Sequence, residues 1–420
     1  MKILISAYSC EPGMGSEPDV GWNIVREAAK YNQVWVLTRL DESQDIIKAE
    51  LARNPIPNLH FVYFTLPFWQ DSRRWGQSGG MQLHYYLWQI QAYFVARRLH
   101  QKIGFDLSHH VTFVKYSHPS FLSLLPIPLI WGPVDGGEFA PISFWQDFSW
   151  NGKIDEIARR WDRWIGEQNP LVRLTAKKSA VVCSTTNDTA QRLYQMGASH
   201  VHILPESGLS AEDIKHLNQY EIANEPIVRF ISMGKLLHWK GFHLGMRAFA
   251  QANLPNTEYW IVGDGPEWDQ LQTLAGDLGI AKKVKFWGKL PREKALDLLR
   301  DCHVLVHPSL HDSGGWVCME AMAAGRSVIC LDLGGLAVQV TDATGFKIPA
   351  DEPYQAVRDL AAAMIHLVQN PELRIAMGQA GRKLVNENYS WQVVGERLNQ
   401  LYLEVANKKV GVKQCSLVST

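Results

Sequence analysis

The chain has 420 residues, 46% hydrophobic and 20% charged, which is typical of a globular protein with two domains and excludes a disordered or fibrous class. Lys and Arg together number 42, as do Asp and Glu, so the formal net charge is zero and a dedicated nucleic-acid-binding protein is disfavoured. The sequence has no run of about 18 apolar residues that would predict a membrane-crossing helix. Its six cysteines lack paired spacing, which favours reduced thiols and a cytoplasmic location.

Short apolar runs alternate with helical patterns along the first half, as in parallel βαβ units. The predicted strands are Ile3–Ala7, Val34–Thr38, His60–Phe64, Leu107–Val111, Pro128–Trp131, Ala180–Ser184 and His202–Leu204. A glycine-bearing loop, Cys10–Gly21, follows the first strand. Helices are predicted from about Val20 to Lys30 and from about Gln82 to Lys102.

A second series of strands begins after Glu206–Pro226, a polar and acidic segment with little strand pattern. Its predicted strands are Val228–Met233, Glu258–Val262, Val284–Trp287, Val304–Val306 and Ser327–Leu331. The fold class is therefore α/β, with a doubly wound parallel sheet in each half and a ligand site expected in the cleft between them. The predicted division is a first domain at 1–210, a linker at 211–226, a second domain at 227–388, and a C-terminal helix and tail at 389–420 that cross back to the first domain.

The strongest functional signal follows the strand Val304–Val306. There, His307-Pro308-Ser309-Leu310-His311-Asp312-Ser313-Gly314-Gly315 leads into a helix that Gly325 would end. Glycines at a helix start let backbone N–H groups approach an anion, and the helix dipole favours one, so a diphosphate is the expected guest. Asp312 precedes this turn and Glu320 lies eight residues later, and carboxylates suit sugar hydroxyl pairs.

Two weaker signals follow other strands of the second half. The loop Gly234-Lys235-Leu236-Leu237-His238-Trp239-Lys240-Gly241 places two lysines where a leaving diphosphate would lie. The turn Val262-Gly263-Asp264-Gly265-Pro266 follows the next strand, although such turns occur in any α/β protein.

Together, these motifs resemble the retaining GT-B glycosyltransferases of family 4, a group that includes sucrose, mannosyl and bacterial polysaccharide transferases. The resemblance is nearly continuous from Gly234 to Gly325 and includes Val284-Lys285-Phe286-Trp287-Gly288 and Glu320-Ala321-Met322-Ala323-Ala324-Gly325. The first half matches more loosely, through Pro12-Gly13-Met14-Gly15-Ser16-Glu17 and Trp131-Gly132-Pro133. The resemblance implies a hexosyltransferase that uses a UDP-, GDP- or ADP-sugar and a hydroxyl acceptor, with polysaccharide or glycolipid synthesis as the pathway.

The resemblance also implies roles for charged residues of the second half. Lys240 would contact the donor diphosphate. Lys235 stands where the family has Arg, which keeps the charge but loses the bidentate fork. Glu320 matches the second carboxylate of the family's Glu-x7-Glu motif, which binds ribose hydroxyls. Asp312 replaces the first Glu near the donor sugar and is one methylene shorter.

The remaining donor contacts are implied in the same way. Backbone N–H groups of Ser313, Gly314 and Gly315 would meet the sugar or its phosphate. The nucleotide base would stack near Trp287–Leu290, with Gly234 and Gly288 in the donor site. Gly15 and Ser16 would face the diphosphate from the first half.

Histidines of the first half are candidates for the family's His near the donor sugar. His110 is slightly preferred over His109 and His118, and a core or loop role is an equal alternative for each one. Glu138 is a candidate acceptor-side carboxylate, and its alternative is a charge at a helix N-terminus.

The expected chemistry requires no cofactor and no metal. Lysines and a helix N-terminus lie at strand ends where a metal-dependent enzyme would have an Asp-x-Asp-type cluster, so we expect electrostatic stabilisation of the leaving group by protein groups. The Cys302, His303, His307 and His311 series is interpreted as packing around a strand. A nucleotide-sugar epimerase, a sugar phosphorylase and a non-catalytic nucleotide-sugar-binding protein stay as alternatives. A dehydrogenase is disfavoured because no strand is followed by Gly-x-Gly-x-x-Gly.

The resemblance implies a sugar or lipid-linked acceptor, and a soluble acceptor such as a sugar phosphate stays an alternative. The aromatic and basic region Phe139–Lys178 is either a helix pair that contacts the inner face of the membrane or a surface between domains, and its amphipathic composition favours the membrane.

Overall fold

The computed structural model describes residues 1–41, 43–69, 80–221 and 226–415, with side chains as far as residue 407. These residues form two compact units. The first contains residues 1–137 and 162–206 and the chain from Trp391 onward, and the second contains Glu138–Trp161 and Ser207–Ser390. The predicted domain 1–210 thus differs from the first unit in residues 138–161 and 207–210, which belong to the second unit.

The first unit is built on a parallel sheet in the order β3-β2-β1-β4-β5-β6-β7. Its strands are β1 Lys2–Ser6, β2 Gln33–Arg39, β3 Leu59–Phe64, β4 Leu107–His110, β5 Leu129–Val134, β6 Ser179–Ser184 and β7 Val201–Ile203. Its helices are α1 Ser16–Ala29, α2 Ser43–Arg53, α3 Met81–Ile103, the second half of α4 Trp150–Gln168, α5 Pro170–Lys178, α6 Asn187–Gln195 and α15 Trp391–Cys415. The strand order is that of a doubly wound dinucleotide-binding sheet.

The second unit repeats this order as β10-β9-β8-β11-β12-β13. Its strands are β8 Val228–Met233, β9 Thr257–Val262, β10 Val284–Gly288, β11 Val304–His307, β12 Ser327–Leu331 and β13 Gly345–Ile348. Its other helices are α7 Ala211–Asn218, α8 Phe242–Ala252, α9 Trp268–Asp277, α10 Arg292–Asp297, α11 Trp316–Ala323, α12 Gly334–Gln339, α13 Pro353–Gln369 and α14 Pro371–Asn388. All strand pairs are parallel, and the inner strands are apolar runs buried on both faces.

Residues 138–161 pack with the second unit because their aromatic side chains enter its core. Phe144 and Phe148 are buried among residues of β8, α8 and β11, and Asp147 pairs with Arg247 of α8 at 2.9 Å. Burying one such aromatic side chain contributes about 1.5–3 kcal/mol.

The segment predicted as a linker, 211–226, contains helix α7. Ser210 caps this helix by accepting a hydrogen bond from the backbone N–H of Asp213 at 2.9 Å. Ile214 and Leu217 are buried in the core of the second unit. The segment is polar overall, but its helix has one apolar face. Residues 222–225 of that prediction lie outside the described residues.

The C-terminal helix packs in the first unit and extends through Cys415. Asn32 donates a hydrogen bond to Asn399 at 3.0 Å, and Gly395 lies against Glu27 of α1. Residues 416–420 of the C-terminal segment predicted at 389–420 lie outside the described part of the chain.

Candidate functional site

The central strands β8 and β11 of the second unit carry loops that meet at the carboxyl edge of the sheet. The sheet order reverses between these strands, which is where doubly wound sheets bind ligands. Gly241, with φ +68, lies so close to Pro308 that an added Cβ would stand 2.0 Å from its carbonyl oxygen. The backbone N–H of Leu310 donates to the carbonyl of Trp239 at 2.8 Å. The loop from Gly234 to Gly241 and the loop from His307 to Gly315 are therefore in direct contact.

Lys240 and Asp312 form an ion pair at this junction. The Lys240 Nζ lies 2.7 Å from both carboxylate oxygens of Asp312, and His307 Nε2 lies 2.8 Å from Oδ2. Burial acts to raise the pKa of Asp312, but the Lys240 charge and the His307 hydrogen bond hold it well below its usual range. Asp312 is thus an ionised acceptor whose two oxygens bridge a cation and an imidazole.

A cavity of about 460 Å³ lies at the same edge of the sheet, at the ends of β8 and β9. Its walls include Gly234, Lys235, Gly263 and Asp264, and its far side is closed by Lys289, Leu290, Ala295 and Val317. Gly263 has φ +139, and an added Cβ there would stand 1.8 Å from the Gly234 carbonyl oxygen, so a side chain would separate the two loops. A cavity of this size suits a small polar ligand.

The start of α11 is held rigidly beside Asp312. The backbone N–H of Gly335 donates to the Asp312 carbonyl at 2.6 Å, and the Gly314 carbonyl accepts from Gln339 Nε2 at 2.7 Å and from Ser207 Oγ at 3.2 Å. Gly315 takes φ +44 directly before the helix. These contacts hold the backbone of 312–315 through hydrogen bonds within the second unit.

Glu320 is buried in α11 and pairs with Arg292, whose Nη2 lies 2.8 Å from its Oε1. The same guanidinium bonds both carboxylate oxygens of Asp213, at 2.9 and 3.2 Å. Burial raises the pKa of Glu320 to about 6, although the Arg292 charge opposes the rise. Arg292 therefore orients Glu320.

Glu138 also belongs to the second unit. It is buried against Gly334, where an added Cβ would stand 3.0 Å from the Glu138 Cγ and 2.5 Å from the Asp312 carbonyl oxygen. The candidate acceptor-side carboxylate thus lies next to the loop that carries Asp312.

A buried cluster behind the two loops has no counterpart in the sequence prediction. Glu156 of α4 is 1% exposed, and its Oε1 lies 3.0 Å from His311 Nε2 and 3.4 Å from His238 Nε2. Arg159 Nη1 lies 3.4 Å from His311 Nδ1. Burial lowers the pKa of His311, so the neutral ring accepts from Arg159 at Nδ1 and donates to Glu156 from Nε2.

This cluster ties α4 to both site loops, because His238 and Trp239 precede Lys240 and His311 precedes Asp312. Burial acts to raise the pKa of Glu156, but the hydrogen bonds from His238 and His311 lower it to about 2. Gly152 permits the contact, since a Cβ there would stand 2.9 Å from the His238 ring. Glu156 and Arg159 are spaced i, i+3 on one helix face, and that spacing is the only sequence signal for them.

The candidates in the first unit lie around β1 and β4. Gly15 has φ +71 and Ser16 has φ +56 at the start of α1. His109 and His110 are buried in β4, whereas His118 is half-buried and its Nδ1 lies 3.1 Å from Ser117 Oγ.

Both β4 histidines are neutral inside the core. His109 Nε2 donates to the Gly132 carbonyl at 2.6 Å, and its Nδ1 accepts from the Tyr402 hydroxyl at 2.8 Å. His110 Nε2 lies 3.1 Å from the Tyr85 hydroxyl. Burial lowers the pKa of His109 to about 4 and that of His110 to about 3. Their contacts are those of structural histidines in the first unit's sheet.

The described residues hold no group of three or more His, Cys, Asp or Glu arranged to bind a metal ion. Among the helices in the described ranges, none is both long enough and apolar enough to cross a bilayer.

The second unit is similar to a known protein family. Residues 214–384 match the model of the family described as glycosyl transferases group 1. The match includes both site loops, the cavity and Glu320, and it covers less than half of the chain.

Individual relatives are similar over less than half of the chain. The D-inositol 3-phosphate glycosyltransferase of Corynebacterium jeikeium is 32% identical over 183 residues, which is 41% of this chain and 42% of that protein. A GDP-mannose-dependent monoacylated α-(1-6)-phosphatidylinositol monomannoside mannosyltransferase of Corynebacterium glutamicum is 32% identical over 176 residues, 40% of this chain and 45% of that protein. The chain spans less than half the length of each of these relatives.

Solved structures are similar over almost the whole chain. Anabaena HepE, in complex with UDP and glucose, has a TM-score of 0.57 at 19% identity and covers 96% of this chain and 100% of that one. The sucrose-phosphate synthase of Thermosynechococcus elongatus has a TM-score of 0.61 at 17% identity and covers 96% and 98%. The likeness confirms the expected GT-B fold of two Rossmann-like, doubly wound units.

Proposed function

We propose that this chain is a glycosyltransferase that moves a hexose-type sugar from a UDP-, GDP- or ADP-sugar to a hydroxyl acceptor. The observation that carries the proposal is the Lys240–Asp312–His307 arrangement at the reversal point of the second sheet, with contacts of 2.7 and 2.8 Å, together with a cavity of about 460 Å³ at the ends of β8 and β9 of the same sheet. The family match over residues 214–384 supports it, as do a GDP-mannose-dependent relative and a similar fold in complex with UDP and glucose.

The donor would lie with its nucleoside in the cavity. Leu290 and Lys289 would flank the base, and Glu320, oriented by Arg292, would accept hydrogen bonds from the ribose hydroxyls. The diphosphate would lie between Lys235 and the start of α11, where N–H groups of Ser313, Gly314 and Gly315 and the helix dipole favour negative charge.

Lys240 would stabilise the departing nucleoside diphosphate. Its Nζ lies within hydrogen-bond distance of both oxygens of Asp312. It would donate a hydrogen bond to a phosphate oxygen as negative charge develops there. The paired Asp312 carboxylate would then bind hydroxyls of the donor sugar. The protein groups supply this charge stabilisation themselves, so we propose that transfer is independent of a metal ion.

Retention of the anomeric configuration is proposed through attack on the same face of the sugar. The bond from C1 to the diphosphate oxygen breaks, the acceptor oxygen bonds to C1, and the acceptor proton passes to an oxygen of the leaving phosphate. Asp312 is a poor nucleophile because its carboxylate is paired with Lys240 and hydrogen-bonded to His307, which hold its pKa well below the usual range. A trapped covalent glycosyl-enzyme would contradict this step.

The acceptor is proposed to be a sugar or glycolipid hydroxyl, since relatives act in phosphatidylinositol mannoside and lipopolysaccharide core synthesis. Glu138, beside the Asp312 loop, is the proposed acceptor-side carboxylate.

A donor panel tests the proposal. Thermal unfolding is measured with UDP-, GDP- and ADP-sugars and with the parent nucleotides, and one nucleotide class should raise the Tm, more so with one sugar. The matching donor is then incubated alone and with sugar acceptors. Acceptor-dependent release of the nucleoside diphosphate supports a transferase, whereas conversion of the donor alone identifies an epimerase, and no shift with any donor contradicts the proposal.

A further inference from the structure

Helix α3 of the first unit is apolar on both faces. One face packs into the core through Tyr85, Trp88, Ala92 and Ala96. The opposite face repeats apolar side chains at helical spacing, namely Leu83, Leu87, Ile90 and Phe94. Leu83 is 48% exposed and Phe94 is 54% exposed. Surface helices of globular proteins have a polar outer face, so this helix requires a second apolar partner.

The outer face of α3 borders a groove of about 480 Å³. The turn after β3 forms its other wall, with Leu66 and Trp69 in the lining and Phe68 98% exposed at the rim. A continuous concave apolar surface of this kind marks a binding site in a folded protein.

The charge of this surface differs from that of another exposed apolar stripe, on α4. The α3 sequence contains no Asp or Glu, and Arg97 and Arg98 lie three and four residues beyond Phe94, exposed on the same face. Lys102 follows in the last turn.

Helix α4 provides the contrast. Its stripe of Trp150, Ile154, Ile157 and Trp161 is also exposed, but Asp155 is exposed beside it and the helix carries equal numbers of acidic and basic residues. The amphipathic composition of Phe139–Lys178, which includes α4, favours a membrane contact over a surface between domains. An apolar face combined with cationic charge is the pattern that binds anionic lipid, and only α3 of these two helices has it.

We propose that the α3 surface, defined as Phe68, Leu83, Leu87, Ile90, Phe94, Arg97 and Arg98, docks the protein on an anionic lipid bilayer. The apolar side chains enter the boundary between headgroups and acyl chains, and the arginines contact lipid phosphates. This interaction goes beyond the proposed transfer reaction and needs neither donor nor acceptor, so its failure would leave that proposal untouched.

Co-sedimentation of the full chain with vesicles tests the surface. The vesicles contain phosphatidylcholine alone or with about one third phosphatidylglycerol. We expect binding to the anionic vesicles that weakens with salt, and much weaker binding to phosphatidylcholine. A Leu87→Asp, Phe94→Asp variant should lose roughly tenfold or more of the partition constant, and an Arg97→Gln, Arg98→Gln variant should lose binding mainly to anionic vesicles.

The matched control is Ile154→Asp with Ile157→Asp on α4, which should bind vesicles like the unchanged protein. Circular dichroism and thermal unfolding verify that each variant is folded. The proposal is overturned if the unchanged protein ignores anionic vesicles at low salt, or if the α4 variant loses as much binding as the α3 variant. It is also overturned if lipid-free sedimentation velocity shows a dimer that only the α3 variant dissolves, because the surface would then join two copies of the chain.

Discussion

The two sheets share one strand order, but the side-chain contacts at the carboxyl ends of their central strands differ. At the ends of β1 and β4, the backbone N–H of Ser9 donates to Thr112 Oγ1 at 3.1 Å, and Glu17 Oε1 accepts from the backbone N–H of Phe113. At the ends of β8 and β11, Lys240 and Asp312 form an ion pair, and a cavity lies at the ends of β8 and β9 of the same sheet.

The difference shows what topology supplies and what it leaves to the side chains. In both units the strand order brings two loops together, so the contact between the loops comes from the fold. In the first unit, burial raises the pKa of Glu17, although the Phe113 hydrogen bond opposes the rise, and the contact is one of packing. In the second unit, an ionised carboxylate and a lysine keep charge available to a ligand.

The largest expected effect comes from Lys240→Ala. Removing the cation that would face the leaving diphosphate should lower kcat by about 100- to 1,000-fold, while thermal unfolding shows a folded protein. Glu17→Gln, at the corresponding junction of the first unit, is the matched variant and should keep kcat within about threefold. Equal losses in the two variants would show that the comparison between the junctions is wrong.

Glu156→Gln tests whether the buried cluster stabilises the second unit through charge. We expect the free energy of unfolding at neutral pH to fall by about 1–3 kcal/mol, because hydrogen bonds to an ionised carboxylate become hydrogen bonds to a neutral amide. The folded pKa of about 2 is lower than the ordinary value of 4.5. The carboxylate's contribution is therefore complete above about pH 4.5 and is lost as the pH falls toward 2.

Denaturant unfolding of the unchanged protein and the variant, measured from pH 7 down through this range, checks the sign. The stability difference should shrink as the pH falls. Asp155→Asn, an exposed neighbour on the same helix, should show almost no difference at any pH. A Glu156→Gln difference that stays constant with pH would mean that His238 and His311 do not stabilise the ionised form.

The smallest expected effect comes from Lys235→Arg. Lys235 is exposed at the cavity wall, and a guanidinium there could bind two phosphate oxygens where the ammonium binds as a point charge. Donor affinity, measured by titration calorimetry, should improve by about threefold. Lys282→Arg, on the exposed surface of the same unit, is the control and should leave affinity unchanged. Weaker binding by Lys235→Arg would place the diphosphate elsewhere in the cavity.

Local pattern was sufficient to predict the sheets. Val228–Met233 and Ser327–Leu331 form strands with the bounds expected from their apolar runs. Strand β5 runs three residues beyond the predicted Trp131 because a shift in its register with β6 accommodates Gly132-Pro133. Strand β13 was missed, since Gly345–Ile348 is short and includes a lysine.

The sequence motifs also predicted that Lys240 and Asp312 lie at the carboxyl edge of one sheet, because both follow strands of the second half. The Glu156 cluster could not be predicted in this way. Glu156 and His311 are 155 residues apart, and a charged pair at i, i+3 on a helix is usually a solvated face. His307 and His311 were interpreted as packing, yet they hydrogen-bond Asp312 and Glu156.

Residues 138–161 leave the first unit, contribute Phe144, Phe148 and Glu156 to the second, and return. A protein fragment that begins at Ser207 would lack these side chains and would expose the core that they cover. In a chimera joined to a relative near residue 206, residues 138–161 would come from one protein and the second sheet from the other. Exchange of donor specificity between such proteins should therefore succeed only when both pieces, 138–161 and 207–390, are transferred together.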